Sequence, residues 1–585
     1  MFEEEKAIIA AKIKTYLQAE GIEDAELEFR QIPFSGEWGL AIPLFPVAAA
    51  EARSGKKVNV PQRAQELAEG IKAFLGAPLG GFSRAEAVKG YLNLYFSTST
   101  YARRVVDLVL DQGATYGRSV DRGETVMVEY SQPNTHKAFH VGHLRNVILG
   151  GSVCRILAFA GYEVIRANYL GDIGLHVVKW MWNYLKNHPG ETPGEDHTYW
   201  MNEIYAEADR LFQLPENEAE VRELYGRWNQ RDPEIVALWE MTRQWSLEGF
   251  EQIYATLDET FDRIYFESEV EEAGTRLAEQ LITKGIAQDE RPEGPVFIDL
   301  DEIAGTEDEY RVLVVLRSDG SSLYATKDLP LAIQKFEEYD LDKAVYVIDV
   351  RQSLYLKQIF KTLEILGYDW ADRLYHLAYE LVNLPGNVIM SSREGTVVLF
   401  DDLIEEATHR AREIVEEKNP ELSEDIKNEI AEAVALGALK YTILSRDNTK
   451  VVTFDWDAAL DFNGQAAPYI QYAHVRAGSI LRKAGQLRPE PANFPEDLEK
   501  AEVNLIDLMS RLPVEVERAA ETYRPLIIAN LSFELARAFN DFYNSCQVLN
   551  AEHDVRAYRL RLVSAAQQVI ATSLGLLGIR APGMM

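Results

Sequence analysis

The chain has 585 residues, 47% of them hydrophobic, and 60 Lys and Arg against 93 Asp and Glu, a formal net charge of −33. That length exceeds a single core and implies three to four domains at roughly 100–200 residues each. The acidity excludes a protein that coats nucleic acid by bulk attraction, so a nucleic-acid partner has to be met on local basic or shape-matched patches.

The two cysteines, Cys154 and Cys546, point to neither a disulfide framework nor a Cys-based zinc site. Met1 to Lys6 carries acids where a targeting peptide carries bases, and no apolar run approaches ~18 residues, so a cytoplasmic protein without a membrane partner is expected.

Residues 1–115 read as a separate α+β unit. Ile8, Ile9, Ile13, Tyr16 and Leu17 recur at helical spacing, Lys89 to Phe96 alternates like a strand, and Gly76 to Gly81, with Pro78, marks a turn. With no catalytic constellation, this unit is expected to bind rather than react.

Residues 116–400 alternate strand and helix, the pattern of a parallel sheet with crossover helices. Thr125 to Tyr130 is a buried strand, Pro133 and Asn134 form a turn, and Val141, Leu144, Val147 and Ile148 begin a helix. His140 and His143 thereby stand at a helix entrance, where unpaired N–H groups and the positive dipole end favour a phosphate. Gly142 leaves bare backbone between them for a nucleotide. Gly150 and Gly151 each cost roughly 1 kcal/mol relative to Ala inside a helix, which close approach of a neighbour would explain. A second strand, Tyr162 to Tyr169, runs into Leu170-Gly-Asp-Ile-Gly174, which puts Gly171 and Asp172 at the ligand-binding end of the sheet. Residues 186–260 are a charged, Trp-rich helical insertion. The sheet resumes near Val312, and Ala344 to Asp349 is its clearest later strand.

Residues 401–455 form a helical connecting region, with Asp401 to Glu417 amphipathic, a break at Pro420, and Ile426 to Leu444 as the next helix. Residues 456–585 read as wholly α-helical.

The spacing of His136, His140 and His143 admits a zinc site only if all three lie on one helix, and Pro133 and Asn134 put His136 in the turn instead. A Ser-rich segment, Val388 to Gly395, follows the strand-like run Leu374 to Val382. Such a loop can fold over a polyphosphate and bring hydroxyls and a guanidinium to charge that develops during group transfer.

An HVGH helix entrance with a distant MSSREG loop resembles the class I aminoacyl-tRNA synthetases. The surrounding words resemble the arginyl-tRNA synthetases: SQPNTHKAFHVGHLRN at 131–146, NYLGDIG at 168–174, LYATKDL at 323–329, MSSREGTVVLFDDLI at 390–404, APYIQYAHVR at 467–476 and LARAFNDFYNSCQVL at 535–549. The likeness covers about 120–585, and the N-terminal unit joins it through KGYLNLYF.

The resemblance implies a Rossmann-like α/β catalytic domain, an α+β N-terminal domain that touches the tRNA, and an all-α anticodon-binding domain. It implies ligation of L-arginine to its tRNA through an arginyl-adenylate, with ATP and magnesium, by a monomer. His140, His143, Ser391, Ser392 and Arg393 would be catalytic, and Gly142, Gly171, Asp172 and Met390 would join the histidines around ATP. Glu129, Asn134, Tyr324, Asp328 and Gln352 match the arginine pocket, with Asp328 as the bidentate partner of the guanidinium. Tyr469, Tyr472, His474 and Arg476 offer stacking and basic groups to unstacked RNA bases. One departure is clear: the family's loop carries two lysines where this chain has Ile389 and Ser392, so Lys137 or Arg393 would have to supply the missing cation. The alternatives are a nucleotidyltransferase with the same helix entrance acting on a small molecule, and a non-catalytic tRNA-binding relative.

Overall fold

The computed structural model describes residues 2–23, 25–54, 57–76, 81–194, 196–384, 388–389 and 399–585. Its chain divides into two compact units. One comprises 117–472, 513–530 and 573–585; the other comprises 1–116, 473–512 and 531–572.

The first unit is built on a sheet of five parallel strands: β1 (Thr125–Glu129), β2 (Glu163–Leu170), β3 (Arg263–Phe266), β4 (Lys343–Asp349) and β5 (Leu374–Tyr379). Their spatial order is β3-β2-β1-β4-β5. Val126 to Val128 and Ala344 to Val347 are consecutive buried residues, as expected where helices cover both faces of a parallel sheet. Helix α1 (Val141–Phe159) joins β1 to β2 and is buried along most of its length. After β1 the strand order turns to the opposite side with β4, and this switch point opens a crevice at the carboxyl ends of the two strands.

Four helices follow β2: Leu175–Asn187, His197–Leu211, Pro215–Asn229 and α2 (Pro233–Leu257). Trp180, Trp182, Trp228 and Trp239 are the core of this insertion, which accounts for its tryptophan content. The expectation that the parallel sheet resumes near Val312 is corrected. Val312–Leu316 pairs antiparallel with Val296–Asp299 in a separate three-stranded sheet, with Val312 and Val314 exposed on one face. A strand with one open face suits an antiparallel ribbon and not the covered interior of a parallel sheet. Two further helices, α3 (Tyr324–Glu338) and α4 (Ser353–Ile365), flank β4 in the chain. Phe400–Lys418 and Glu424–Leu444 complete this unit's helical layer, and Lys440 caps two helix ends by donating to the carbonyls of Leu257 (2.7 Å) and Gly578 (2.6 Å).

In the other unit, helix Glu3–Ala19 buries Ile9, Ile13 and Leu17, while Ile8 is 48% exposed. Tyr91–Phe96 alternates burial within a four-stranded sheet. The N-terminal residues do not stand apart here. The Trp38 indole donates to Asp507 (3.2 Å), Tyr101 to Ser510 (3.0 Å), and Arg561 to Asp107 (2.6 Å), so helices from the end of the chain share their core.

Candidate active site

The crevice begins where β1 ends. The turn after it holds three non-glycine residues in the left-handed region, Ser131 (φ 78°), Gln132 (φ 51°) and His136 (φ 61°). Each such residue costs roughly 1 kcal/mol or more, and hydrogen bonds hold all three in place. The Ser131 N–H donates to Asn146 Oδ1 (2.7 Å), that of Gln132 to Asn168 Oδ1 (3.0 Å), and that of His136 to Ser246 Oγ (2.9 Å). The buried His136 ring is committed to Thr135 and Thr242 hydroxyls at 2.9 and 2.8 Å, against Trp180. It is a structural residue of the turn, not a third member of a histidine face.

His140 caps α1. Its Nδ1 accepts the Gly142 N–H (3.1 Å), His143 Nδ1 accepts the His140 N–H (3.3 Å), and the two rings stack at 3.9 Å. A backbone N–H can only donate, so both neutral rings carry their proton on Nε2. Burial, with the Lys137 and Arg351 charges, pulls His140 down to about 4, and burial with His140 and Lys137 holds His143 well below the usual range. At neutral pH the pair is two uncharged donors. A side chain on Gly142 would meet His140 Cε1 at 2.9 Å, so this glycine makes room for the histidine's own ring. The neighbours that require Gly150 and Gly151 are likewise internal: Tyr130, 2.3 Å from a Cβ at 150, and the Glu259 carboxylate, 2.0 Å from one at 151.

Lys137 lies over the Tyr205 ring (5.3 Å) and makes no ion pair with a described residue; burial lowers its pKa, against the pull of Asp209. Met390, Ser391, Ser392 and Arg393 lie outside the described residues. Leu399, where the described chain resumes, bridges to His140, and the Phe400 N–H donates to the Phe139 carbonyl (3.0 Å).

A cavity of about 370 Å³ collects Glu129, Asn134, Tyr324, Asp328 and Gln352, all five residues matched to an arginine pocket, together with Gly171; His140 and His143 are not in its lining. Tyr324 is 69% exposed at the first position of α3, one turn ahead of Asp328. Gly171 has to be glycine because a Cβ there would stand 2.2 Å from Asn134 Oδ1.

The cavity's charges are unevenly matched. Glu129 accepts from Gln132 Nε2 (2.8 Å) and pairs with the fully buried Lys335, and Glu267 pairs with Lys327 at 2.7 Å. Among the described residues, Asp328 has only the Tyr355 hydroxyl. Burial above all, with the Glu267 and Glu129 charges, pushes its carboxyl up to about 7, against the Tyr355 hydrogen bond and Lys335. Here is a carboxylate in want of a cation, in a cavity that would desolvate both.

Asp172 corrects an expectation. Its fully buried carboxylate accepts from the Ser268 N–H (2.9 Å) and hydroxyl (2.6 Å) and from Arg243 (3.0 Å), fastening α2 to the start of the helix after β3. It has no face to offer a nucleotide. Sequence reasoning missed Tyr169, Glu267, Tyr346 and Tyr355, which line the cavity. Glu267, one residue past β3, was accessible to the rule that strand ends bind ligands. The Tyr169 hydroxyl is buried without a hydrogen-bond partner among the described residues and lines the cavity.

Tyr469 and Tyr472 lie on helix Ala467–Ala484, with Tyr472 38% exposed. His474 and Arg476 follow on the same helix, and Arg476 donates to Asn540 (2.5 Å) beneath the Tyr543 ring (4.8 Å).

The family model described as tRNA synthetases class I (R), catalytic domain, matches residues 105–456, and the DALR anticodon binding domain matches 470–585. An arginine–tRNA ligase of Clostridium perfringens is 35% identical over 582 residues, 98% of each chain. One of Bacteroides thetaiotaomicron is 34% identical over 551 residues, 90% of each. The solved structure of Thermus thermophilus arginyl-tRNA synthetase superposes with a TM-score of 0.77 at 29% identity, over 99% of this chain and 100% of that one.

Proposed function

The chain belongs to the arginine branch of the class I tRNA synthetases and attaches arginine to tRNA with ATP, and we propose that the crevice at the carboxyl ends of β1 and β4 performs both steps. In the first step the arginine carboxylate attacks the α-phosphorus of ATP, and pyrophosphate leaves. Negative charge builds on the phosphoryl oxygens, where the Nε2–H groups of His140 and His143 and the N-terminus of α1 act as fixed donors. Lys137 adds a cation on the same side, with Arg393 as the other candidate. Neither histidine has to accept a proton, which agrees with their depressed pKa values. In the second step a terminal ribose hydroxyl of the tRNA takes the arginyl group, and AMP leaves.

The single observation that carries this reading is the cavity in which Asp328, the one lining carboxylate without a cation among the described residues, is framed by Glu129, Asn134, Tyr324 and Gln352. A guanidinium presents a planar fork to a carboxylate, which the point charge of lysine and the neutral head of citrulline cannot reproduce. ATP enters as its magnesium complex, with the metal carried on the phosphates. Tyr469, Tyr472, His474 and Arg476 belong to the tRNA-reading surface of the helical domain, and residues 1–115 meet the outer part of the tRNA. The enzyme acts as a cytoplasmic monomer. The test is arginine-dependent exchange of pyrophosphate into ATP, with and without tRNA, with lysine, glutamine and citrulline as competitors. No exchange with arginine in the presence of tRNA would overturn the assignment.

A further inference from the structure

Under the arginine pocket lies a charge that the chemistry above does not use. Lys335 is fully buried, its ammonium is paired with Glu129, and it rests 4.3 Å from the Tyr346 ring and 5.8 Å from that of Tyr265. It follows Asp328 by seven residues on α3, two turns along the same helix face. A buried ion pair is a poor source of stability, and an apolar pair of similar volume generally does as well or better. The aromatic walls here suit a methionine of similar volume, so stability alone gives little reason for the charge.

A further reason emerges from the balance of charges. The cavity is lined by three carboxylates, Glu129, Glu267 and Asp328, and two of them are paired with ammonium groups behind the lining, Lys327 and Lys335, a sum of minus one over the five groups. Arginine has two cationic groups and one carboxylate, a sum of plus one. We infer that Lys335 is a positioning residue that holds Glu129 and fixes the pocket's net charge, so that a zwitterionic amino acid with a cationic side chain is preferred over its decarboxylated dication. The inference rests on the assignment of this cavity to arginine. Without Lys335, Glu129 would be an uncompensated anion, and a ligand lacking the carboxylate would gain.

Arginine and agmatine, its decarboxylated form, differ by that one charge. Calorimetric affinities of both for the full-length enzyme, with agmatine also measured as a competitor of arginine, test the idea. In Lys335→Met the preference for arginine over agmatine should fall by at least tenfold, the effect of one charge about 12 Å away at an effective dielectric constant of about 20. In Lys335→Met/Glu129→Gln it should return towards the wild-type ratio. Glu129→Gln alone leaves the lysine uncompensated and should move the ratio the other way, which keeps the test open if Lys335→Met does not fold. Generalised damage would weaken both ligands alike, so a ratio within twofold of wild type in the foldable variants overturns the inference. Failure of the wild-type enzyme to bind arginine in competition with agmatine would instead sink the assignment of the cavity.

Discussion

Acidification should weaken arginine well before it impairs ATP. Asp328 is the group concerned, its carboxyl pushed up to about 7 by burial, then by Glu267 and Glu129, with Tyr355 and Lys335 acting the other way. The sign follows directly: a raised carboxyl pKa means the neutral form prevails below it, and only the anion can take a guanidinium. Affinity is therefore full above pH 7 and is lost as pH falls. Each unit below that point costs a factor of ten, about 1.4 kcal/mol, so binding at pH 5.5 should be roughly 30-fold weaker than at pH 8. His140, held at about 4, and His143, held well below the usual range, stay neutral across this interval, so the apparent KM for ATP should stay flat. Calorimetry in buffers of different ionisation enthalpy should register proton release on arginine binding below pH 7. Asp328→Asn should abolish that release and cost about 2–5 kcal/mol of arginine affinity, the range for truncating one member of a buried charge pair. A wild-type affinity that stays level from pH 5.5 to 8 would refute the reasoning.

Four substitutions probe the rest of the crevice. His143→Ala should lower the single-turnover rate of adenylate formation by about 10²- to 10³-fold, as for loss of one preorganised donor, with arginine affinity unchanged. Lys137→Ala should slow that step by at least tenfold, about 1.4 kcal/mol of transition-state stabilisation; a smaller effect transfers the role to Arg393. Gly171→Ala forces a methyl to within 2.2 Å of Asn134 Oδ1 and should raise the arginine KM with an overpacking penalty of about 1–3 kcal/mol. Asp172→Asn should reduce unfolding stability by about 1–3 kcal/mol and leave the ATP KM alone, and a selective loss of ATP binding would restore the carboxylate to the nucleotide site.

What could be read in advance depended on whether the controlling contact was local. The histidine pair at a helix entrance was legible because a strand, a turn and an apolar period lie within about 25 residues. The resemblance named Glu129, Asn134, Tyr324, Asp328 and Gln352 one by one, and the structure brings these five around one cavity. Tyr355 and Lys335 were not, since their roles exist only once α3 and α4 are brought against β1 and β4. Asp172 was misread for a related reason: its position at a strand end is right for a ligand, but its partners Arg243 and Ser268 come from 71 and 96 residues away. Val312–Leu316 was misplaced because an apolar run cannot disclose which sheet receives it.

One side chain explains why the two halves of the site keep register. Asn146, buried on α1 three residues after His143, accepts the strained Ser131 N–H, and its two Nδ2 hydrogens are shared among Gln132 Oε1 (3.2 Å), the Val347 carbonyl on β4 (2.8 Å) and the Tyr379 hydroxyl on β5 (3.2 Å). The helix that presents the histidines is thereby fastened to the turn that carries Asn134 and to the strand that leads to Gln352. A shift of α1 would have to break buried hydrogen bonds on three elements at once, each costly to leave unsatisfied. In-line attack tolerates little misplacement between carboxylate and phosphorus. The left-handed conformations of Ser131 and Gln132 are thus the strained part of a device that sets the cavity proposed for arginine and the donors proposed for phosphate to a common origin.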